Sequence, residues 1–159
     1  MFDVAVLARI DALQNRYIRA LDNRDMQGWA DCFGGVGGYV CVTRESVEQN
    51  LPLALMMDDN YDRIKDRVNY VTQVWAGTFE DYTMRHFVHR MDCEEKAPGL
   101  YAVQSNVLIA YTTTRGQSEL LTAGVYEDEM EIDGEVSRFR SKKVIIDTVA
   151  TPRYIVYPF

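Results

Sequence analysis

Four long runs of β-favouring residues, separated by short turn signals, occupy the chain from Thr83 onward. The turn signals are Pro98-Gly99, Arg115-Gly116 and Asp133-Gly134. Asp-Gly is the strongest of them, because a type I′ turn needs a positive φ at both central residues. Between Tyr101 and Tyr111 the residues alternate so that one face of the run is more apolar than the other. The pattern predicts an antiparallel meander of four long strands.

The first half of the chain shows helical spacing instead. Its opening segment carries apolar residues at intervals of four, three, four and four, namely Val6, Ile10, Leu13, Tyr17 and Leu21. Asp3 is placed to cap this helix at its N-terminus. A second short helix is predicted from Asp25 or Met26, with Trp29 and Phe33 on one side, and a third from Asp59 to about Trp75.

The order of these elements favours an α+β fold in one domain covering residues 1–159. Helices packed on the concave face of one highly curved antiparallel sheet would form a cone with a pocket inside. The glycine-rich run Gly34–Gly38 lies between a helix and the β-rich run Tyr39–Thr43. A phosphate-binding loop needs the opposite order, strand before and helix after, so these glycines are interpreted as a turn.

Composition excludes several classes of function. With 17 Lys and Arg against 24 Asp and Glu, the chain has a formal charge of −7, which argues against a nucleic-acid partner. It has two histidines and three widely separated cysteines, Cys32, Cys41 and Cys93, so neither structural zinc nor a Rieske cluster is expected on this chain. No signal peptide or membrane-spanning run is evident, which predicts a cytoplasmic protein without a membrane partner.

A candidate pocket combines residues from both halves of the chain. A carboxylate beside a histidine in a cone interior is suited to general acid–base chemistry, and the set is Tyr17, Asp22, Trp29, Tyr39 and His86. His86 and His89 are three apart on a strand and should point to opposite faces, so they cannot bind one metal together. Asp22 could equally cap the second helix or pair with Arg24 or Arg85.

Two surfaces are candidates for contacts with other subunits. Arg138, Arg140 and Lys142 alternate along the last strand and should share one face, which is interpreted as a solvated face or a docking face for an acidic partner. The final segment, residues 151–159, is apolar and aromatic, so it should pack on its own domain or on a neighbouring subunit. Its candidate interface residues are Arg153, Tyr154, Tyr157 and Phe159.

Several segments in order resemble the small (β) subunit of aromatic-ring-hydroxylating dioxygenases. The resemblance covers nearly the whole chain and rests on residues 17–22, Trp29, Phe33, residues 53–68 and residues 85–88. It implies a cone-shaped fold of the nuclear-transport-factor-2 type, with neither iron nor catalytic residues on this chain. It further implies an α3β3 assembly with large (α) subunits that hold the Rieske [2Fe-2S] cluster and the mononuclear Fe(II) of an NADH-dependent oxygenase. The chain most resembles the small subunits of enzymes that act on aromatic carboxylates such as benzoate, anthranilate or salicylate.

Two other functions fit the same fold. Scytalone-dehydratase-like and steroid-isomerase-like enzymes place an Asp near the end of the first helix, and the dehydratases add a sheet His, which Asp22 and His86 match. The dehydratase type also requires a second pocket histidine from the following strand, and residues 101–114 contain none. A cone that only binds a ligand is the third possibility, but it explains neither the basic residues of the last strand nor the apolar final segment.

Overall fold

The computed structural model describes residues 3–159, in which four α-helices and six strands form one α+β unit. The helices are α1 (Val4–Asp22), α2 (Met26–Asp31), α3 (Arg44–Glu48) and α4 (Tyr61–Asn69). The strands are β1 (Gly38–Thr43), β2 (Met56–Asp58), β3 (Tyr82–Ala97), β4 (Leu100–Thr113), β5 (Ser118–Asp133) and β6 (Val136–Ile146).

All six strands belong to one sheet in the order β2-β1-β6-β5-β4-β3. The meander β3-β4-β5-β6 is antiparallel throughout, as predicted from the turn signals. β1 joins it in parallel with β6, and the short β2 pairs antiparallel with β1 at the edge. β2 and β3 therefore lie at opposite edges of the sheet, although they are consecutive strands in the chain. The first helix, α1, packs on β3, β5 and β6.

Asp3 caps α1 as predicted, whereas α2 is capped by Asp25 and not by Asp22. The Asp3 side chain accepts a hydrogen bond from the Ala5 N–H at 3.0 Å, and Asp25 accepts one from the Gly28 N–H at 2.8 Å. The apolar stripe of α1 is buried, with Tyr17 and Leu21 fully enclosed. The amphipathic pattern placed this helix correctly because its buried face is continuous over about three turns, from Ile10 to Leu21.

The helix predicted from Asp59 to about Trp75 is α-helical only in its first part. The α-helical part ends at Asn69, and a π-helical turn follows over Tyr70–Val74, closed by the Trp75 N–H bonding to the Tyr70 carbonyl at 2.8 Å. The widened turn keeps Val71 buried while Tyr70 lies against the Trp75 ring, with 5.8 Å between centroids. α3 was not predicted, since five residues are too few to show a helical period.

The glycine-rich run is a turn between α2 and β1, in agreement with the sequence interpretation. Gly34 has a φ of +59°, a backbone conformation that favours glycine. A Cβ atom on Gly37 would lie 2.3 Å from the Phe139 carbonyl oxygen. The run thus lets β6 pass closely beside the turn, and it has a packing role.

Candidate functional site

Asp22 and His86 form a pair where the end of α1 meets β3. The His86 Nδ1 atom lies 2.6 Å from Asp22 Oδ1, and the His86 backbone N–H donates to Asp22 Oδ2 at 3.3 Å. The competing roles for Asp22 are taken by other residues, because Asp25 caps α2 and Arg24 pairs with Asp81. His86 is buried and His89 is exposed, as the strand period predicts.

The pair is enclosed by the protein. The His86 side chain is 0% exposed and that of Asp22 is 16% exposed. The second ring nitrogen, His86 Nε2, is buried without a hydrogen-bond partner. An acid or base must come within about 3 Å of the atom that carries or receives the proton, directly or through one water. In this conformation the imidazole has no open path to a reactant.

The pocket tyrosines bind the chain's own final segment. Tyr17 donates its hydroxyl proton to the Phe159 carbonyl oxygen at 2.5 Å, and the Phe159 N–H donates to the Tyr39 hydroxyl at 2.9 Å. The Tyr82 hydroxyl accepts from the Val156 N–H at 3.2 Å. Burial raises the pKa of both Tyr17 and Tyr39 well above the ordinary value, so both hydroxyls stay protonated. Residues 156–159 thus occupy the part of the predicted cone interior that adjoins Tyr17, Tyr39 and Tyr82.

Two residues of the final segment that were predicted to lie at an interface, Tyr157 and Phe159, are instead covered by their own chain. Tyr157 is 6% exposed and Phe159 is 0% exposed, both packed inside their own chain. Arg153 lies with its guanidinium carbon 3.8 Å from the centre of the Tyr82 ring, and it donates to the Glu80 carbonyl at 2.7 Å. Only Tyr154 presents a largely exposed ring, at 55%.

The prediction that Lys142 shares an exposed face with Arg138 and Arg140 is wrong. Phe139 pairs with Met130 and Ser141 pairs with Glu129, so Arg140 is an extra residue without a partner on β5. Such a β-bulge reverses the alternation of the residues that follow it. Lys142 consequently points to the same face as Phe139, and its side chain is 0% exposed.

Lys142 forms a fully buried ion pair inside the cone. Its Nζ lies 2.9 and 3.1 Å from the two carboxylate oxygens of Asp128, its direct partner on β5. Three aromatic rings surround the ammonium group, with centroids at 3.6 Å (Tyr126), 4.4 Å (Tyr17) and 4.6 Å (Phe139). Asp128 was not predicted as a site residue, although it alternates with Tyr126 and Met130 and so must point inward. An inward carboxylate must either pair with a cation or take up a proton, so the position of Asp128 predicts either a buried cation beside it or a neutral acid.

This pair should make stability depend on pH. Burial raises the pKa of Asp128 to about 6, against the opposing effect of Lys142. The folded state then holds the proton to higher pH than the unfolded state does, so the free energy of unfolding falls as pH rises from about 4 to about 6. The expected contribution is on the order of 2 kcal/mol.

Urea unfolding at pH 4, 5 and 6 would measure this contribution. The reference is the double variant Asp128→Leu/Lys142→Met, which keeps the remaining carboxylates and removes the pair. The difference in unfolding free energy between the native chain and the double variant should shrink steadily as the pH rises. A difference that is constant over this range would contradict the prediction.

Arg138 and Arg140 remain on the surface but are already paired. Arg138 Nε lies 2.8 Å from a carboxylate oxygen of Glu131, and Arg140 lies 3.4 Å from the same oxygen. Arg138 and then Arg140 lower the pKa of Glu131. Any partner that binds here meets a group of two arginines and one glutamate, with a net charge of +1, and not a row of free cations.

The outer face of the sheet carries exposed apolar side chains that the sequence analysis did not single out. Phe87 is 62% exposed and its cross-strand neighbour Leu108 is 42% exposed. Beside β2, Leu53, Leu55 and Met57 are between 48% and 62% exposed. The alternation of side chains along β3 could have predicted this exposure. Because His86 points inward, the next residue, Phe87, must point outward.

Within residues 3–159, the structure brings together no group of three or more His, Cys, Asp or Glu side chains that could hold a metal ion. Over the same range, no helix is long and apolar enough to cross a membrane. The three cysteines are free thiols, with Cys32 and Cys41 buried.

Comparison with known proteins gives consistent matches over nearly the whole chain. A family model described as the ring hydroxylating beta subunit matches residues 16–152. The anthranilate 1,2-dioxygenase small subunit of Burkholderia cepacia is 29% identical over 156 residues, which are 98% of this chain and 96% of that protein.

Solved structures agree on the fold. The beta subunit of a proposed aromatic-ring-hydroxylating dioxygenase from Novosphingobium aromaticivorans superimposes with a TM-score of 0.81 at 25% identity, covering 93% of this chain and 94% of that one. A proposed scytalone dehydratase from the same organism gives a TM-score of 0.71 at 16% identity, covering 96% and 90%, which concerns the fold alone. The predicted α+β cone of the nuclear-transport-factor-2 type is confirmed.

Proposed function

Because the chain belongs to the ring hydroxylating beta subunit family, we propose that it is a scaffold that holds catalytic large (α) subunits in an α3β3 oxygenase. The α subunits would carry the Rieske [2Fe-2S] cluster and the mononuclear Fe(II), and this chain would contribute neither. Three copies of this chain would set the spacing between neighbouring α subunits, so that electrons pass from the cluster of one to the iron of the next.

The observation that carries this proposal is the state of the cone interior. In a fold that in other proteins can hold an active site, the interior here contains residues 156–159 and a buried ion pair. The imidazole of His86, the one histidine on the inner face of β3, is fully enclosed. A chain packed in this way is suited to rigidity and not to turnover.

The outer surface supports the same function. Exposed apolar side chains occur both on the outer face of the sheet, at Phe87 and Leu108, and beside the edge strand β2, at Leu53, Leu55 and Met57. Contiguous apolar surface of this kind is typical of sites where subunits meet. Two separate patches fit a subunit that contacts both its own copies and α subunits.

The similarity to an anthranilate dioxygenase small subunit favours an aromatic carboxylate as the substrate of the complex. The α subunit would select that substrate, since the iron would be located there. Purified complex assayed with anthranilate, benzoate and salicylate, against naphthalene as an uncharged control, would test the assignment. Turnover of naphthalene alone would contradict it.

Co-expression tests the scaffold function. The chain is expressed alone and together with an α subunit encoded beside it, and both preparations are sized by light scattering. We expect a hexamer of three α and three β chains that contains iron and acid-labile sulfide. A chain that remains monomeric and never co-purifies with the α subunit would refute the proposal.

Asp22→Asn distinguishes the scaffold from a catalytic cone. The amide oxygen can still accept from His86, so the fold and assembly should be preserved while acid–base capacity is lost. We expect turnover of the assembled complex within about twofold of the native value, as for the exposed control Asp62→Asn. A loss of about two orders of magnitude with unchanged assembly would identify Asp22 as an acid–base catalyst.

A further inference from the structure

A cavity of about 380 Å³ lies between α1 and the inner face of the sheet, apart from the Asp22–His86 pair. Its walls come from α1, β3, β4 and one residue of β5. The apolar part consists of Ile10, Val88, Val103 and Met130. Its volume is within the usual range for sites that enclose a small molecule.

The polar residues of this cavity include one whose hydrogen bonds are not made. Gln14 is 7% exposed, and both its amide oxygen and its amide nitrogen are buried without a partner. Folded proteins rarely leave a buried amide in this state, and a bound water, ion or small molecule is among the usual reasons when they do. Ser105, only 1% exposed, adds a hydroxyl to the wall.

The charges at the cavity cancel each other. Arg90 donates two hydrogen bonds to the Asp11 carboxylate, at 2.8 and 3.1 Å, and thereby links β3 to α1 beside the opening. The remaining polar lining residues are Gln14, Asn15, Ser105 and His89, none of which is a carboxylate, a lysine or an arginine. A charged ligand would have no free counter-ion here, whereas a neutral one would lose little hydration on entry.

We propose that this cavity is a binding site for a small neutral molecule with a primary amide on a ring. A primary amide presents an N–H donor beside a carbonyl acceptor, and so does Gln14, so the two can form a pair of hydrogen bonds with each other. The ring then contacts Val88, Val103 and Met130. This site is independent of the proposed scaffold function, because its lining includes none of the exposed apolar residues assigned above to subunit contacts.

Benzamide is the probe for this site. Titration of the full chain, followed by NMR chemical shifts and calorimetry, should give saturable one-to-one binding. N,N-dimethylbenzamide has no N–H donor and should bind at least tenfold more weakly. Absence of saturable benzamide binding, or equal binding of the two amides, would overturn the proposal.

Gln14→Leu should weaken benzamide binding at least tenfold, and the exposed control Gln117→Leu should leave it unchanged. Val88→Phe supplies a second test by filling the cavity from β3 without touching Gln14, and it should also abolish binding. Circular dichroism establishes that each variant is folded. Benzamide binding that survives both cavity variants would place the ligand elsewhere and refute the assignment.

Discussion

Lys142→Met is expected to lower the free energy of unfolding by about 3–5 kcal/mol at pH 7. The substitution keeps the length of the side chain but leaves the Asp128 carboxylate buried without its cation. The carboxylate must then stay charged in an apolar interior or take up a proton, and both alternatives destabilise the folded state. Chemical denaturation of the isolated chain measures the effect.

The neighbouring residue supplies the matched control. Lys143 is 43% exposed and lies 3.7 Å from Glu127, so Lys143→Met should change stability by less than about 0.5 kcal/mol. The double variant Asp128→Leu/Lys142→Met should recover most of the loss, because it removes both charges together. Equal, small effects at positions 142 and 143 would mean that Lys142 is a surface residue, as simple alternation along β6 predicts.

Phe159→Ala is expected to lower the free energy of unfolding by about 3–5 kcal/mol. The ring is fully buried, and its backbone is held by Tyr17 and Tyr39, so the truncated side chain leaves a cavity in the cone. The exposed control Tyr154→Ala should cost under about 1 kcal/mol.

The dependence on protein concentration separates this packing from an interface. If Phe159 packs inside its own chain, the loss is the same at every protein concentration at which the chain is monomeric. If the residue instead contacted a neighbouring subunit, the loss would grow with concentration and would be absent from the monomer. The second result would contradict the position of the final segment.

The final segment illustrates a limit of sequence reasoning. Its aromatic composition shows that Tyr157 and Phe159 should avoid water, but composition does not say whether their own chain or another one covers them. That choice depends on the hydroxyls of Tyr17, Tyr39 and Tyr82, which come from three distant elements and meet only in the folded cone.

Asp22 and His86 show what a family pattern can and cannot indicate. Their positions at the end of the first helix and on the following long strand predicted that they could meet, and they do so at 2.6 Å. Whether a reactant can reach them depends on what fills the surrounding space. The enclosure of His86 by side chains from other elements is invisible in the local sequence.

The sequence by itself determined α1, α2, the start of α4 and the meander with its turns, because helical and strand periods and Asp-Gly turns are local signals carried by neighbouring residues. It also placed the chain in its family through segments in a particular order. Only the tertiary structure decided which face of the sheet Lys142 points to. Arg140 has no partner on β5, and this bulge reverses the inward and outward alternation of the side chains that follow it. Likewise, only tertiary packing brought Asp128 to Lys142 and residues 156–159 into the cone, because those contacts join elements far apart in the chain.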